Sequence, residues 1–284
     1  MQIAFGKYHG LGNDFLIVDG RDGAFTLSAA AGRALCDRAR GVGADGVLLW
    51  RGSLAAPEMV VVNQDGSIAA MCGNGIRCFV KHILDNHLPA ATAVTVQTGN
   101  GPLPCTVTRG ADGRVVEVAV QMGRAVYEPQ RIPLAQTGML REARVAVAGR
   151  TLTLTALSLG NPHAVTFDHF SRGERERLGP ALEQHPLFPD RANIGFAELR
   201  ADIPGLVLHV FERGCGWTQA CGTGATAAAI VAVDTGRLPR DTDLAVDLPG
   251  GRLMLRVGGD GLATLRGPAV HVFDGVVAIA DPLD

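Results

Sequence analysis

The sequence predicts an α+β fold of two similar lobes, each an antiparallel sheet wrapped around a central helix, with the active site between the lobes. Three observations lead there. First, an apolar strand-like run, a polar turn, Cys-Gly-x-Gly and a helix-like run occur twice, at 60–80 (VVVNQDGSIAAMCGNGIRCFV) and at 211–229 (FERGCGWTQACGTGATAAA). Second, the copies keep a nearly constant shift. It is 149 residues from Cys72 to Cys221 and from Asn63 to Glu212, and 148 from Leu11-Gly12-Asn13 to Leu159-Gly160-Asn161. It is 144 from Gly123-Arg124-Ala125-Val126 to Gly267-Pro268-Ala269-Val270. A period this long marks two domains rather than a solenoid. Third, 284 residues at 47% apolar content suffice for two ordinary cores.

In chain order, 2–8 and 15–19 read as strands about the turn Gly10-Leu11-Gly12-Asn13-Asp14, whose tip offers the Asn13 amide. Ser28 is an N-cap for a helix to about residue 40, closed by Gly41. GVGADG at 41–46 fits a dinucleotide fingerprint by letter, but it leads from a helix into a strand, the reverse of that turn. Strands follow at 47–50 and 59–62. After Cys72, the apolar residues Ile76, Phe79, Val80, Ile83 and Leu84 recur at helical spacing, giving a helix with one buried face. Strands are predicted at 94–97, 103–109 and 115–120, with Asp112-Gly113 as a hairpin turn. Residues 127–138 carry turn residues and no period, and read as the linker.

The second lobe opens with a hairpin across Ala148-Gly149 and reaches the turn Gly160-Asn161-Pro162-His163, then a strand to Phe167. A charged helix at about 173–184 leads to Asn193 and strands up to Phe211. The helix after Cys221 is apolar all round and is expected to be wholly buried. Strands at 244–247, 252–257 and 262–266 follow, with one or two more in 270–280.

The 26 basic and 28 acidic residues are interspersed, with net charge -2 and no basic run, so neither a nucleic-acid groove nor an anionic membrane surface is indicated. Small molecules are the expected partners. No apolar run is long enough to span a bilayer and the start lacks a signal layout, so the expected location is the cytoplasm. Six cysteines there read as thiols, and their spacings match no usual zinc pattern. Lys7 lies in a strand pattern and Lys81 on the polar side of a helix, so a pyridoxal Schiff base has few candidates. The chemistry is expected to use side chains alone, with no metal and no cofactor.

A cysteine at a helix N-terminus meets the positive end of the helix dipole and backbone N–H groups, both favouring thiolate. Gly73-Asn74-Gly75 and Gly222-Thr223-Gly224 can cradle a carboxylate on N–H groups between the two sulfurs. Two thiols aimed at one carboxylate-bearing carbon suit inversion of a stereocentre: one removes a proton from one face, the other delivers a proton to the opposite face. With no electron sink, the carbanion depends on N–H donors and exclusion of water. Cys36, Cys78, Cys105 and Cys215 read as ordinary core residues. Asn13, Asn63, Asn161 and Asn193 either cap turns or bind substrate. His163 is either a satisfied core histidine or adjusts thiol acidity near Cys72. Glu212-Arg213 is either a surface pair or a functional one, Arg213 clamping a second carboxylate and Glu212 receiving an ammonium or biasing a thiol.

By these residues the sequence resembles the diaminopimelate epimerase family. The matching blocks run in order: HGLGNDF at 9–15, GVGADG at 41–46, NQDGS at 63–67, MCGNGIRC at 71–78, GNPH at 160–163, RANIGF at 191–196 and ERG...GWTQACGTGA at 212–225. PGGRL at 249–253 and GPAVHVFDG at 267–275 extend the match over essentially the whole chain. The resemblance implies cofactor-independent interconversion of LL- and meso-diaminopimelate, in lysine and peptidoglycan-precursor synthesis. It implies Cys72 and Cys221 as the acid/base thiols. Asn13, Asn63, Asn161, Asn193, Glu212 and Arg213 would hold the distal amino-acid end, Gly73-Asn74 and Gly222-Thr223 the reacting carboxylate, and His163 and Glu212 would tune the thiols. It also implies C-terminal strands returning to the first lobe, so that the lobes are 1–120 with 267–284 and 121–266, and a homodimer. Gln64, Ile68 and Gly46 depart from the family pattern and are expected to affect loop packing or affinity more than reaction. Two rivals remain: a two-cysteine proline or hydroxyproline racemase, whose substrate would leave Arg213 without a task, and a thiol-based metal or redox protein using Cys72, Cys78, Cys215 and Cys221.

Overall fold

The computed structural model describes residues 2–21 and 27–279. The chain divides into two compact units, 1–120 with 266–284, and 121–265.

In the first unit β1 (Gln2–Gly10) and β2 (Asn13–Asp19) form a hairpin in which Gly10 faces Asn13. Leu11 and Gly12 turn it at φ 57° and 84°. Next, α1 (Ala29–Cys36) is capped by the Ser28 hydroxyl. It stops at Cys36 instead of near residue 40, because the Asp37 carboxylate accepts the Ala39 and Arg40 N–H groups and turns the backbone out of the helix. β3 (Gly46–Gly52), β4 (Pro57–Asn63) and the two-residue β5 (Ile68–Ala69) lead to α2 (Gly73–Asn86). The five periodic apolar residues of α2 are all buried. Lys81 is buried too, against expectation: its ammonium bonds the Asp85 carboxylate at 2.8 Å and the Val115 carbonyl at 2.5 Å. Then come β6 (Ala93–Thr98), β7 (Gly101–Arg109) and β8 (Val115–Gly123).

The antiparallel reading holds for β1–β2, β3–β4, β6–β7 and β7–β8, while β2–β3 and β4–β6 are parallel. A parallel join needs a crossover, and α1 and α2 supply the two.

Residues 127–138 are not a free linker. They hold a short 3-10 turn, Pro129–Arg131, and Ile132 packs with Leu140, Leu152, Phe170 and Leu178 in the core of the second unit. In this unit β9 (Ala143–Val147) and β10 (Arg150–Ser158) form a hairpin across Ala148-Gly149. β11 (Pro162–Thr166) follows, then α3 (Arg172–Glu183), opened by a Ser171–Glu174 capping box. β12 (Asn193–Leu199), β13 (Gly205–Glu212) and the two-residue β14 (Gly216–Trp217) lead to α4 (Gly222–Asp234). As expected, α4 is buried throughout, from Gly222 to Val233. β15 (Asp243–Leu248), β16 (Gly251–Val257) and β17 (Ala263–Pro268) complete the run. Finally β18 (Val270–Ala278) pairs antiparallel with β1 in the first unit. Ala280, where the last expected strand ends, lies outside the described residues.

The repeat extends to strand register. Phe15, Gly46 and Asn63 stand abreast on β2, β3 and β4. On β11, β12 and β13, His163 stands abreast of Asn193, and Ile194 of Phe211, one residue in from Asn193 and Glu212. The parallel joins recur as β11–β12 and β13–β15, bridged by α3 and α4. No helix among the described residues is long and apolar enough to cross a membrane.

Candidate active site

Each unit carries one cysteine cluster, built where strand ends meet the start of a buried helix. In the first, Cys72 is the N-cap of α2, with extended backbone (φ -138°, ψ 117°) and its sulfur accepting the Gly75 N–H at 3.3 Å. In the second, Cys221 is the N-cap of α4 (φ -126°, ψ 107°), its sulfur accepting the Gly224 N–H at 3.4 Å. A Cβ on Gly75 would lie 3.5 Å from the Cys72 sulfur, and one on Gly224 3.2 Å from the Cys221 sulfur. Glycine there leaves each sulfur its position.

Around Cys72, the Asn13 Oδ1 lies 4.0 Å from the sulfur and accepts the Asn74 amide at 3.1 Å. The Asn13 amide donates to Asp45 at 2.7 Å. Arg38 joins Asp45 to Asp14 (2.8 and 2.6 Å), and Lys7 also bonds Asp14 (3.0 Å). Burial alone would raise the Asp14 carboxyl, but Arg38 and Lys7 hold it below its ordinary range. The Gly73 carbonyl accepts from Arg77 at 2.8 Å. Asn63, at the end of β4, directs its amide to Ser67 in its own turn (3.0 Å), as a turn-capping residue would.

Around Cys221 a continuous relay forms. The Thr223 hydroxyl lies 3.6 Å from the sulfur and accepts the Asn161 amide at 3.4 Å. The Asn161 Oδ1 accepts from the His163 Nε2 at 3.0 Å, which requires the ring proton on that nitrogen. On the other side Glu212 hydrogen-bonds Cys221 and accepts the Thr218 hydroxyl at 2.6 Å. The Gly222 carbonyl accepts the Thr226 hydroxyl at 2.8 Å. Asn193 spans Pro162 O (2.9 Å) and the Arg213 N–H (3.0 Å), while the exposed Arg213 guanidinium bonds Asp190 O at 3.3 Å.

A helix N-terminus was expected to lower the thiols. At Cys221, 4% exposed, the opposite holds: burial, then the adjacent Glu212 charge, hold the thiol well above its ordinary value. Glu212 is likewise raised by burial. Burial, with the Arg213 charge second, pushes His163 down to about 3, so the ring is neutral.

A family model for diaminopimelate epimerase matches residues 5–128 and 155–272. The chain belongs to the diaminopimelate epimerase family. It is 41% identical to the diaminopimelate epimerase of Synechococcus elongatus, over 99% of this chain and 100% of the relative. It is 40% identical to that of Desulfitobacterium hafniense, over 95% and 96%. Among solved structures, a hydroxyproline epimerase from Agrobacterium vitis shares the fold with a TM-score of 0.73 at 15% identity, covering 99% of this chain and 94% of that one. A PhzF-family phenazine biosynthesis protein from Bacillus anthracis does so with a TM-score of 0.68 at 16% identity, covering 98% and 100%.

For this epimerase-family chain the sequence pointed to the two cysteines but not to their surroundings. Asp45, Arg77, Thr218 and Thr226 were not singled out, although Arg77 and Thr226 are themselves 149 residues apart. His163 falls in the second unit, with Asn161 as its bonded partner, and not in the unit of Cys72. Cys215, read as core, is exposed at a tight turn between Gly214 and Gly216, both at positive φ. Among the described residues no group of three or more His, Cys, Asp or Glu side chains could hold a metal.

Proposed function

We propose that the protein epimerises LL-diaminopimelate to meso-diaminopimelate by a two-thiol mechanism without a cofactor. One sulfur, as thiolate, takes the α-proton from one face. The other, as thiol, gives a proton to the opposite face, and the reverse reaction exchanges their roles. The observation that most supports this is the duplication itself: in both copies a cysteine caps a buried helix, with a glycine N–H on its sulfur.

Gly73-Asn74 and Gly222-Thr223 form the first turns of α2 and α4, where backbone N–H groups and the helix dipole favour an anion. They would take the reacting carboxylate and stabilise the carbanion. Asn13, Asn63, Asn161, Asn193, Glu212 and Arg213 would hold the distal end, with the exposed Arg213 guanidinium on its carboxylate. Glu212 beside Cys221, and His163 through Asn161 and Thr223, would set thiol acidity. The cofactor-free reading is supported by the lysines. Lys7 is committed to Gly43 O and Asp14, and Lys81 to Asp85 and Val115 O, leaving neither poised for a Schiff base.

Thiol chemistry needs a reducing compartment, so the cytoplasm is the proposed setting. A homodimer is proposed on the exposed apolar side chains of β18, Val270, Val272, Phe273 and Val276. Interspersed charge favours neither nucleic acid nor membrane as a partner.

The test is α-hydrogen exchange in deuterated water by purified protein, with diaminopimelate, proline and hydroxyproline offered separately and no pyridoxal phosphate added. Exchange with diaminopimelate alone supports the reading. Exchange with proline or hydroxyproline alone would replace it with the racemase reading.

A further inference from the structure

The two half-sites are built on one plan but differ in charge. Arg77 and Thr226 occupy matched positions on α2 and α4, and each reaches back one helical turn to the same acceptor. Arg77 Nη1 bonds Gly73 O at 2.8 Å, and Thr226 Oγ1 bonds Gly222 O at 2.8 Å. Both are fully buried. One is a neutral hydroxyl; the other is a guanidinium, which stays protonated in proteins. The remaining Arg77 bonds go to the Asn74 Oδ1 at 3.0 Å and the Pro268 carbonyl at 3.2 Å. Among the described residues no carboxylate pairs with it. A buried charge without a counter-ion is costly, so some function is needed to account for it. The second matched pair runs the other way: neutral Asn63 in the first unit corresponds to Glu212, which lies beside Cys221.

We infer that Arg77 is a positioning residue whose buried charge beneath the first turn of α2 favours loss of the Cys72 proton, so that in the resting protein Cys72 ionises before Cys221. This deepens the two-thiol reading and rests on it for its catalytic meaning. The inference about ionisation itself needs no substrate. Arg77 and Cys72 sense each other's charge, and so do Arg77 and Cys78, but burial pushes Cys78 up to about 12 and keeps it protonated. The other charges at this corner form a bonded set: Asp14 from β2 and Asp45 before β3, held by Lys7 of β1 and by Arg38. Further along α2, Lys81 is held by Asp85. Arg77 is the charge not cancelled in this way.

The experiment is alkylation by iodoacetamide across pH 5 to 10 on the full chain without substrate, with Cys72 and Cys221 read separately by peptide mass spectrometry. In the unaltered protein Cys72 is expected to react with the lower apparent pKa. Equal values, or a lower one at Cys221, would overturn the inference, and this arm requires no variant to fold. Arg77→Met should slow Cys72 alkylation at neutral pH by about tenfold and leave Cys221 unchanged. Arg77→Lys, which keeps the charge and loses the bonding fork, should retain most of the wild-type rate. A structural role alone would make Lys and Met equivalent, and that result would also overturn the inference. Failure of diaminopimelate exchange with this ordering intact would strike the proposed function and leave the electrostatic assignment standing.

Discussion

Replacing either cysteine by serine and by alanine separates the proposed catalytic role of its sulfur from its structural one. As N-cap it accepts the Gly75 or Gly224 N–H at 3.3 or 3.4 Å. Serine is a favoured N-cap and keeps that bond, whereas alanine abandons it at a cost of about 0.5–2 kcal/mol. Neither can act as a base near neutral pH, so both should lose on the order of 10²–10⁴-fold in α-proton exchange. Cys72→Ser and Cys221→Ser should therefore melt near the wild type. The alanine variants should melt lower, by about 2–4 °C per kcal/mol. Differential scanning calorimetry beside deuterium exchange reads both. A serine variant that exchanges at the wild-type rate would remove that cysteine from the mechanism. Equal melting of Ser and Ala variants would refute the capping argument.

Three further outcomes follow from the same geometry. Gly224→Ala should gain helix propensity but crowd the Cys221 sulfur at 3.2 Å and Val210 Cγ2 at 3.1 Å, so kcat should fall roughly 10- to 100-fold with little loss of stability; an unchanged kcat would count against sulfur placement. Asp85→Asn leaves the buried Lys81 without its counter-ion and should cost about 3–5 kcal/mol in a urea titration. His163, pushed down to about 3, makes the fold acid-sensitive. Below about 6.5 the unfolded chain takes up a proton that the native ring refuses, so stability is full above about 6.5 and falls as pH drops toward 3. His163→Gln should flatten the stability–pH slope over that window, and an unaltered slope would mean that the ring is not buried neutral.

The repeat was legible because its two copies keep turn chemistry that only a few residues permit: cysteine as a cap, and glycine where a Cβ would touch the sulfur. The α2 face was legible because its periodicity is local. What escaped depends on partners distant in sequence. The Lys81 ammonium is satisfied by Val115 O across 34 residues, and Asn13 is oriented by Asp45 across 32. The end of α1 was misplaced because the Asp37 side chain outcompetes the helix for N–H groups, which helical spacing does not reveal. The direction of the Cys221 shift was missed because dipole and cap are visible in sequence, whereas the depth of burial that outweighs them is not.

The most direct measurement is the isotopic course of the first turnover of LL-diaminopimelate in deuterated water. With two thiols on opposite faces, the first meso product carries solvent deuterium at the inverted carbon while unreacted substrate keeps its protium. Product that retains the original hydrogen would mean that one group serves both faces, and the account given for Cys72 and Cys221 would be wrong.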